Sequence, residues 1–470
     1  MIELSIAEIA AAVGGRPAGI DAGLRVGGDV VTDSRLVTPG AVFVAVRGER
    51  TDGHDHAVAA HEAGATVVLA SRPVDAPHVL VADTVSALGE LARTVLARLR
   101  EGGRLQVVGI TGSVGKTTTK DLLAQVLAGA GPTVAPRESF NNEIGLPLTV
   151  LAATSQTRFL VLEMGASGPG HIDYLTRIAP LDVAVVLVVG HAHMGGFGSI
   201  AAVAAAKAEI VAGLTSGGTA VLNADDARVA TMATAAPGPV LRFGRSRPAE
   251  VRAADITLDE AARASFTLVT DVAGARSEHP VTLALHGEHQ VTNALAVTAA
   301  AVALGLDPGA VAGRLAGAAR VSGHRMALHH RADGVTVLDD SYNANPDSMA
   351  AALRATAAMP ARRRVAVLGE MLELGQDADV EHTALGRLAG ELGIDVVVTL
   401  GPIGEHVGAG AAEAGDNAPV IHRSGDATAA QQLLDGLLTD GDLVLLKGSN
   451  GSGVWRLADH LLATAAGEDR

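Results

Sequence analysis

Short apolar runs of three to seven residues recur along the chain, and segments with helical spacing separate them. Residues 42–46, 67–69, 105–110, 159–163, 183–189 and 220–223 are rich in Val, Leu and Ile. They are too short for helices, and turn residues bound them, so they read as buried strands. Residues 335–339, 365–369, 396–400 and 443–447 continue the pattern towards the end of the chain. Between them, residues 85–99 and 116–127 place apolar side chains at helical period. Alternation of strand and helix implies parallel sheets covered by helices. One stretch differs. Residues 250–286 alternate almost residue by residue, which predicts antiparallel strands in an add-on sheet.

A chain of 470 residues is too long for one core. The pattern predicts an α/β protein of three domains, residues 1–103, 104–317 and 318–470. The central one is a parallel sheet with helices on both faces, opening on a phosphate loop. The last is doubly wound and Rossmann-like. Its first turn has no Gly-x-Gly-x-x-Gly, so no nicotinamide cofactor is expected.

Apolar residues make up 48% of the chain, enough to fill these cores, while aromatic residues are only 2%. The net charge of −15 argues against nucleic acid or an anionic membrane surface as a partner. An anionic small molecule must therefore be held by local basic groups and backbone N–H donors. No cysteine is present, which excludes disulfides, thiolate metal sites and a cysteine nucleophile. The first residues, Met1-Ile-Glu-Leu-Ser5, carry no basic segment and no long apolar stretch. No signal peptide, no membrane insertion and a cytoplasmic location are the expectation.

The strongest chemical signal is Ile110-Thr-Gly-Ser-Val-Gly-Lys-Thr-Thr118, between a predicted strand and a predicted helix. Gly112 and Gly115 let backbone approach an anion closely, and a helix N-terminus presents N–H donors to it. Lys116 reaches terminal phosphates, and the Thr117 hydroxyl suits Mg2+. Gly112, Ser113, Gly115, Lys116, Thr117 and Thr118 are thus candidate contacts to a nucleoside triphosphate. The glycines fall at positions 109, 112 and 115, whereas a strict Walker A motif has its first glycine where Ile110 stands.

Other candidates sit at predicted strand ends, where ligands bind in open parallel sheets. Glu163 offers a carboxylate for Mg2+; the competing reading is a capping or solvated side chain. His193, with His191 beside it, is either a metal or phosphate contact or a structural histidine. Lys207 lies in an alanine-rich helical segment and is either open to CO2 or phosphate or simply solvated. Of the ten residues 339–348, seven are Asp, Asn or Ser, a density that favours a ligand site over a plain turn. Arg325 offers a guanidinium for phosphate or carboxylate. Lys447 with Ser449 forms a plausible carboxylate pocket. Near the start, Ser34 and Arg35, and the turn Asp52, Gly53 and His54, suit a phosphate or sugar but also resemble ordinary surface loops.

These motifs, in this order, resemble the Mur ligases, and the resemblance covers nearly the whole chain. The run Asp340-Ser-Tyr-Asn-Ala-Asn-Pro-Asp-Ser348 resembles the member that adds D-Ala-D-Ala to UDP-N-acetylmuramoyl-tripeptide in peptidoglycan precursor synthesis. The resemblance implies an ATP-dependent acid–amino-acid ligase that is ADP-forming and works through an acyl phosphate. It further implies that Ser34, Arg35, Asp52, Gly53 and His54 hold the UDP end. Asn141 and Asn142 would lie between substrate and metal. Thr117, Glu163 and His193 match Mg2+ positions, and Lys207 matches a carbamylated lysine able to hold a second Mg2+. With Lys116 these make the catalytic set. Asn293 would meet adenine, Arg325 the γ-phosphate and Asp340 the ribose of ATP. Asn343, Asn345 and Ser348 would face dipeptide or nucleotide. The partners expected are small-molecule substrates, with the protein a monomer.

Three departures stand out: Met194-Gly195 replaces Leu-Glu, Gly369-Glu-Met371 replaces Gly-Asp-Met, and Asn450 stands where an arginine is usual. The rival readings are a related ligase with another acceptor and a regulatory ATP-binding protein whose chemistry has lapsed. A nucleic-acid motor fits neither the acidic balance nor the scarcity of aromatic stacking residues.

Overall fold

The computed structural model describes residues 1–191, 194–246 and 248–466. Three main sheets organise them, flanked by helices. The first has five strands in the order Arg16–Ala18, His78–Leu80, Val67–Ala70, Val42–Val44 and Val30–Val31. Only the pairing at Arg16–Ala18 is antiparallel. The helix Thr84–Glu101 packs beside it. Asp83 caps this helix by accepting from the Ser86 N–H, and Leu88, Leu91, Ala92, Val95 and Leu96 form its buried stripe. Each leucine in that stripe contributes about 1.5–3 kcal/mol by leaving water.

The central sheet has nine strands. Gln106–Thr111 lies inside it, between Phe159–Glu163 and Leu181–Val186, both parallel to it. Their carboxyl ends line up: Glu163 pairs with Ile110 and Val186 with Thr111. The chain leaves Gln106–Thr111 towards one side and later returns to the other, so the loops at these ends open a crevice.

The antiparallel strands predicted after residue 250 are present as Val251–Leu258, Arg263–Val272 and Ala275–His286. They do not form a separate sheet. Val251–Leu258 pairs with Val240–Gly244, so the hairpins continue the central sheet to its edge. The exposed N–H and C=O row of a last parallel strand is a template for such pairing.

The third sheet has six strands in the order Ala327–His330, Thr336–Asp339, Asp442–Lys447, Arg363–Gly369, Val396–Leu400 and Val420–Ser424. All but the first pairing are parallel. Its carboxyl ends present Asp339, Gly369 and Lys447. No helix among the described residues is long and apolar enough to cross a membrane.

Candidate active site

A cleft of 1220 Å³ lies where the carboxyl ends of the central and third sheets meet. Its walls include the phosphate loop, Glu163, Asn293, Arg325, Asp340 and Lys447. The helix Lys116–Ala128 starts at this cleft, with Gly115 as its N-cap in a left-handed conformation at φ 83°. A side chain at Gly115 would also meet Asn293 Oδ1 at 2.5 Å. Both conformation and space therefore require glycine there.

Around the first turn the polar groups converge. The Thr117 hydroxyl donates to Glu163 Oε2 at 2.9 Å. Glu163 Oε1 accepts from Ser139 Oγ at 2.6 Å and from Asn141 Nδ2 at 2.8 Å. The carboxylate is buried, and these donors offset the loss of water. Lys116 Nζ donates to the Gly112 carbonyl at 2.8 Å. Burial lowers the pKa of Lys116, and Arg325 adds to the shift while Glu163 opposes it. Asn142 has a different local task, accepting from the Gly145 N–H at 2.9 Å at a helix start.

The third sheet brings its own groups to the loop. The Arg325 guanidinium lies over the Tyr342 ring, 4.1 Å from its centre, and Nη2 donates to Thr117 Oγ1 at 3.3 Å. Its Nε is buried with no hydrogen-bond partner among the described residues. Asn345 caps the helix Pro346–Ala358 in a capping box with Ser348, and its Nδ2 donates to the Ser113 carbonyl at 3.2 Å. Asp347 Oδ2 accepts from the His191 N–H at 3.0 Å. Ser113 Oγ bonds both backbone groups of Gly190, at 3.1 and 2.9 Å. Lys447 Nζ pairs with Asp340 Oδ2 at 2.5 Å and donates to the Asn343 carbonyl at 2.9 Å. Burial lowers the pKa of Lys447, opposed by the Asp340 charge.

Asn293 Nδ2 donates to Gln290 Oε1 at 2.8 Å, and Oδ1 accepts from Thr119 Oγ1 at 3.3 Å. Thus Ser113, Gly115, Lys116, Thr117, Thr118, Asn141, Asn142, Glu163, Asn293, Arg325, Asp340, Asn343, Asn345 and Ser348 share one cleft.

That convergence is matched at the level of sequence. Residues 110–301 match the Mur ligase middle domain, residues 324–450 the Mur ligase glutamate ligase domain and residues 29–98 the Mur ligase family catalytic domain. The UDP-N-acetylmuramoyl-tripeptide–D-alanyl-D-alanine ligase of Mycobacterium tuberculosis is 46% identical, with 98% of each chain covered. The chain belongs to the Mur ligase family. The fold of this Mur ligase is similar to that of MurF from Acinetobacter baumannii at a TM-score of 0.87, with 30% identity and 98% and 99% of the two chains covered. It is also similar to MurF from Thermotoga maritima in complex with ADP, at a TM-score of 0.76 and 30% identity, covering 92% and 96%.

Some residues of the Mur ligase lie apart from the cleft walls. Lys207 is 2% exposed, not solvated at a helix surface. Burial, with the Lys116 charge added, lowers its pKa to about 7. Its helix, Ile200–Ala212, presents Val203, Ala206, Ile210 and Val211 to the core, and Lys207 shares that face. Ser34 and Arg35 form a short turn in which the exposed guanidinium pairs with Asp33. His54 is buried, and both ring nitrogens have partners: Asp52 Oδ1 at 2.6 Å and the Ser71 N–H at 2.8 Å. Gly53 packs against the backbone of Val46. Among the walls of the cleft, the first sheet region contributes Glu49. His193 lies outside the described residues.

Sequence reasoning assigns nothing to Ser139, Tyr342 or Asp347. Tyr342 and Asp347 stand inside the run 339–348 already singled out, and Ser139 lies two residues before the assigned Asn141. The Lys447 ammonium, expected to help form a carboxylate pocket, is instead engaged by Asp340. Ser449 accepts from the Leu372 N–H at 2.9 Å, which ties that loop to residues 370–372.

Proposed function

We propose that this Mur ligase joins D-Ala-D-Ala to UDP-N-acetylmuramoyl-tripeptide, giving the pentapeptide, ADP and phosphate in peptidoglycan precursor synthesis. The observation that carries the reading is the meeting of Lys116, Thr117, Glu163 and Arg325 at one phosphate-loop helix. ATP is a substrate. Its terminal phosphates are proposed over the loop, between Lys116 and Arg325, whose buried Nε has no hydrogen-bond partner among the described residues, which supports an anion there. Asn293 and Asp340 line the same cleft and are proposed to meet the adenine and the ribose.

Chemistry starts when a carboxylate oxygen of the tripeptide attacks the γ-phosphorus, and the bond to ADP breaks. Lys116 and Arg325 disperse the charge, and positioning does most of the work. The amine of D-Ala-D-Ala then attacks the acyl carbon, and phosphate leaves with the bonding electron pair. The amine's proton passes to solvent or to the departing phosphate. Thr117 and Glu163 supply hard oxygen donors that fit Mg2+, which prefers one or two protein oxygens together with phosphates. Bound there, Mg2+ neutralises phosphate charge.

His193 and Lys207 complete the proposed metal set. A lysine with its pKa near 7 is about half neutral at that pH. The neutral amine would add CO2 and release one proton to solvent, and the resulting carbamate would be an anion able to hold a second Mg2+. Asn141, which donates to Glu163, and Asn142 are proposed between substrate and metal, and Asn343, Asn345 and Ser348 are proposed to meet the dipeptide or the nucleotide. Ser34, Arg35, Asp52, Gly53 and His54 are proposed at the UDP end, in a domain of residues 1–103. Domains of residues 104–317 and 318–470 carry ATP and dipeptide. The protein is proposed to act as a cytoplasmic monomer. Phosphate release that requires ATP, Mg2+ and both substrates tests the proposal; release without D-Ala-D-Ala contradicts it.

A further inference from the structure

The helix Lys116–Ala128 carries a second use along the side that the linker to the third sheet covers. Thr117, Asp121 and Gln125 are four residues apart, so they stack along one side. The segment joining the helix Pro308–Ala316 to the strand Ala327–His330 runs along this side in the reverse direction. Gln125 Oε1 accepts from the Ala319 N–H at 3.0 Å, and Nε2 donates to the Ala319 carbonyl at 2.8 Å. Asp121 Oδ2 accepts from Ser322 N and Oγ at 3.2 and 2.6 Å. Arg325 Nη2 then reaches Thr117.

The contacts step by three residues on the linker and by four on the helix. Four helical residues rise about 6 Å, whereas three extended residues span up to about 10 Å. The linker must therefore bend, and His324 and Met326, either side of Arg325, adopt left-handed backbone at φ 54° and 49°. The other Asp121 oxygen is fixed from within the protein. Lys120 is fully buried, pairs with Asp121 Oδ1 at 2.5 Å and donates to the Pro136 carbonyl at 2.7 Å. One carboxylate thus joins a buried cation to the linker.

We propose that Asp121 and Gln125 are positioning residues that set the register of the linker and so deliver Arg325 to the terminal phosphate. This rests on the reading that Arg325 meets that phosphate. The helix that holds the nucleotide thereby also places the guanidinium contributed from the start of the third sheet region. Neither Asp121 nor Gln125 touches the reacting atoms.

The test uses the full chain and binding rather than turnover. Gln125→Ala and Ser322→Ala, singly and together, remove linker contacts without emptying the core. Calorimetry would compare a non-hydrolysable ATP analogue with ADP. The double variant is expected to lose about tenfold of its preference for the analogue, with ADP affinity unchanged. In an Arg325→Ala background the same double variant is expected to change nothing further. An unchanged preference, absence of any preference in the unmodified protein, or an equal loss in the Arg325→Ala background would overturn the proposal. Failure of the ligase reading appears elsewhere, as absent turnover of the unmodified protein with both substrates.

Discussion

The Thr117 hydroxyl donates to the Glu163 carboxylate at 2.9 Å, across 46 positions of sequence. One residue lies in the first turn of the phosphate-loop helix, and the other ends a neighbouring parallel strand. Parallel register alone brings them together, because Glu163 pairs with Ile110 at the end of the strand that leads into the loop. The pair joins the residue that follows Lys116 to a buried carboxylate.

Replacing Lys116 by Ala removes the cation from this loop. Turnover is expected to fall by at least about 10²–10³-fold, the range for losing one charge-stabilising group. Steady-state phosphate release checks it, and normal activity in the variant counts against the mechanism.

Glu163→Gln keeps the shape but removes the negative charge. The requirement for Mg2+ is expected to rise, with kcat reduced by about a hundredfold and partly recovered at high Mg2+. A magnesium titration of initial rates reads this directly; an unchanged Mg2+ dependence would show that Glu163 is not a metal ligand.

The phosphate-loop strand and helix are legible in the amino-acid sequence, because glycine spacing and an apolar run announce them together. So is the cluster after Asp339, through its density of Asp, Asn and Ser. Lys207 is not. Its alanine neighbours favour a helix but do not say which side faces the core, and only packing places the lysine beside Val203 and Ile210. Nor is the place of residues 251–286 legible, since local alternation specifies antiparallel pairing but not which sheet edge receives it. The contacts of Asp121 with Ser322 span 201 positions and leave no local signature.

Lys207 makes a pH prediction. Its folded pKa of about 7 lies below the unfolded value near 10.5. Between these values the unfolded state binds more protons, so stability rises with pH. The penalty of burying this lysine is full below about pH 7 and is relieved as pH climbs towards 10. Lys207→Met is therefore expected to raise the melting temperature most at pH 6, with the gain shrinking by pH 9. A gain that grows with pH would contradict the assignment.

Breaking the Asp340–Lys447 pair should be costly. Both groups are buried, so Asp340→Ala leaves an uncompensated ammonium, and about 3–5 kcal/mol of stability is expected to be lost. Denaturant unfolding of the variant beside Asp340→Ala/Lys447→Met measures it, and the double variant should recover much of the loss.

Gly190 faces Asp347, and a Cβ there would collide with the Asp347 carboxylate. Gly190→Ala is expected to displace the Asp347 carboxylate and so break its contact with the His191 N–H, one of the ties between the third sheet region and the central sheet. Turnover should fall by about tenfold or more while ADP affinity stays within about twofold. Equal losses in both would place the damage in the nucleotide site itself.

The most direct measurement is the product. The protein would be incubated with ATP, Mg2+, UDP-N-acetylmuramoyl-tripeptide and D-Ala-D-Ala, and the nucleotide sugar weighed by mass spectrometry while phosphate is counted. The account predicts a product heavier by one D-Ala-D-Ala unit less water, one phosphate per product, and none without the dipeptide. Phosphate release with no gain in mass, or a gain from a different acceptor only, would contradict it.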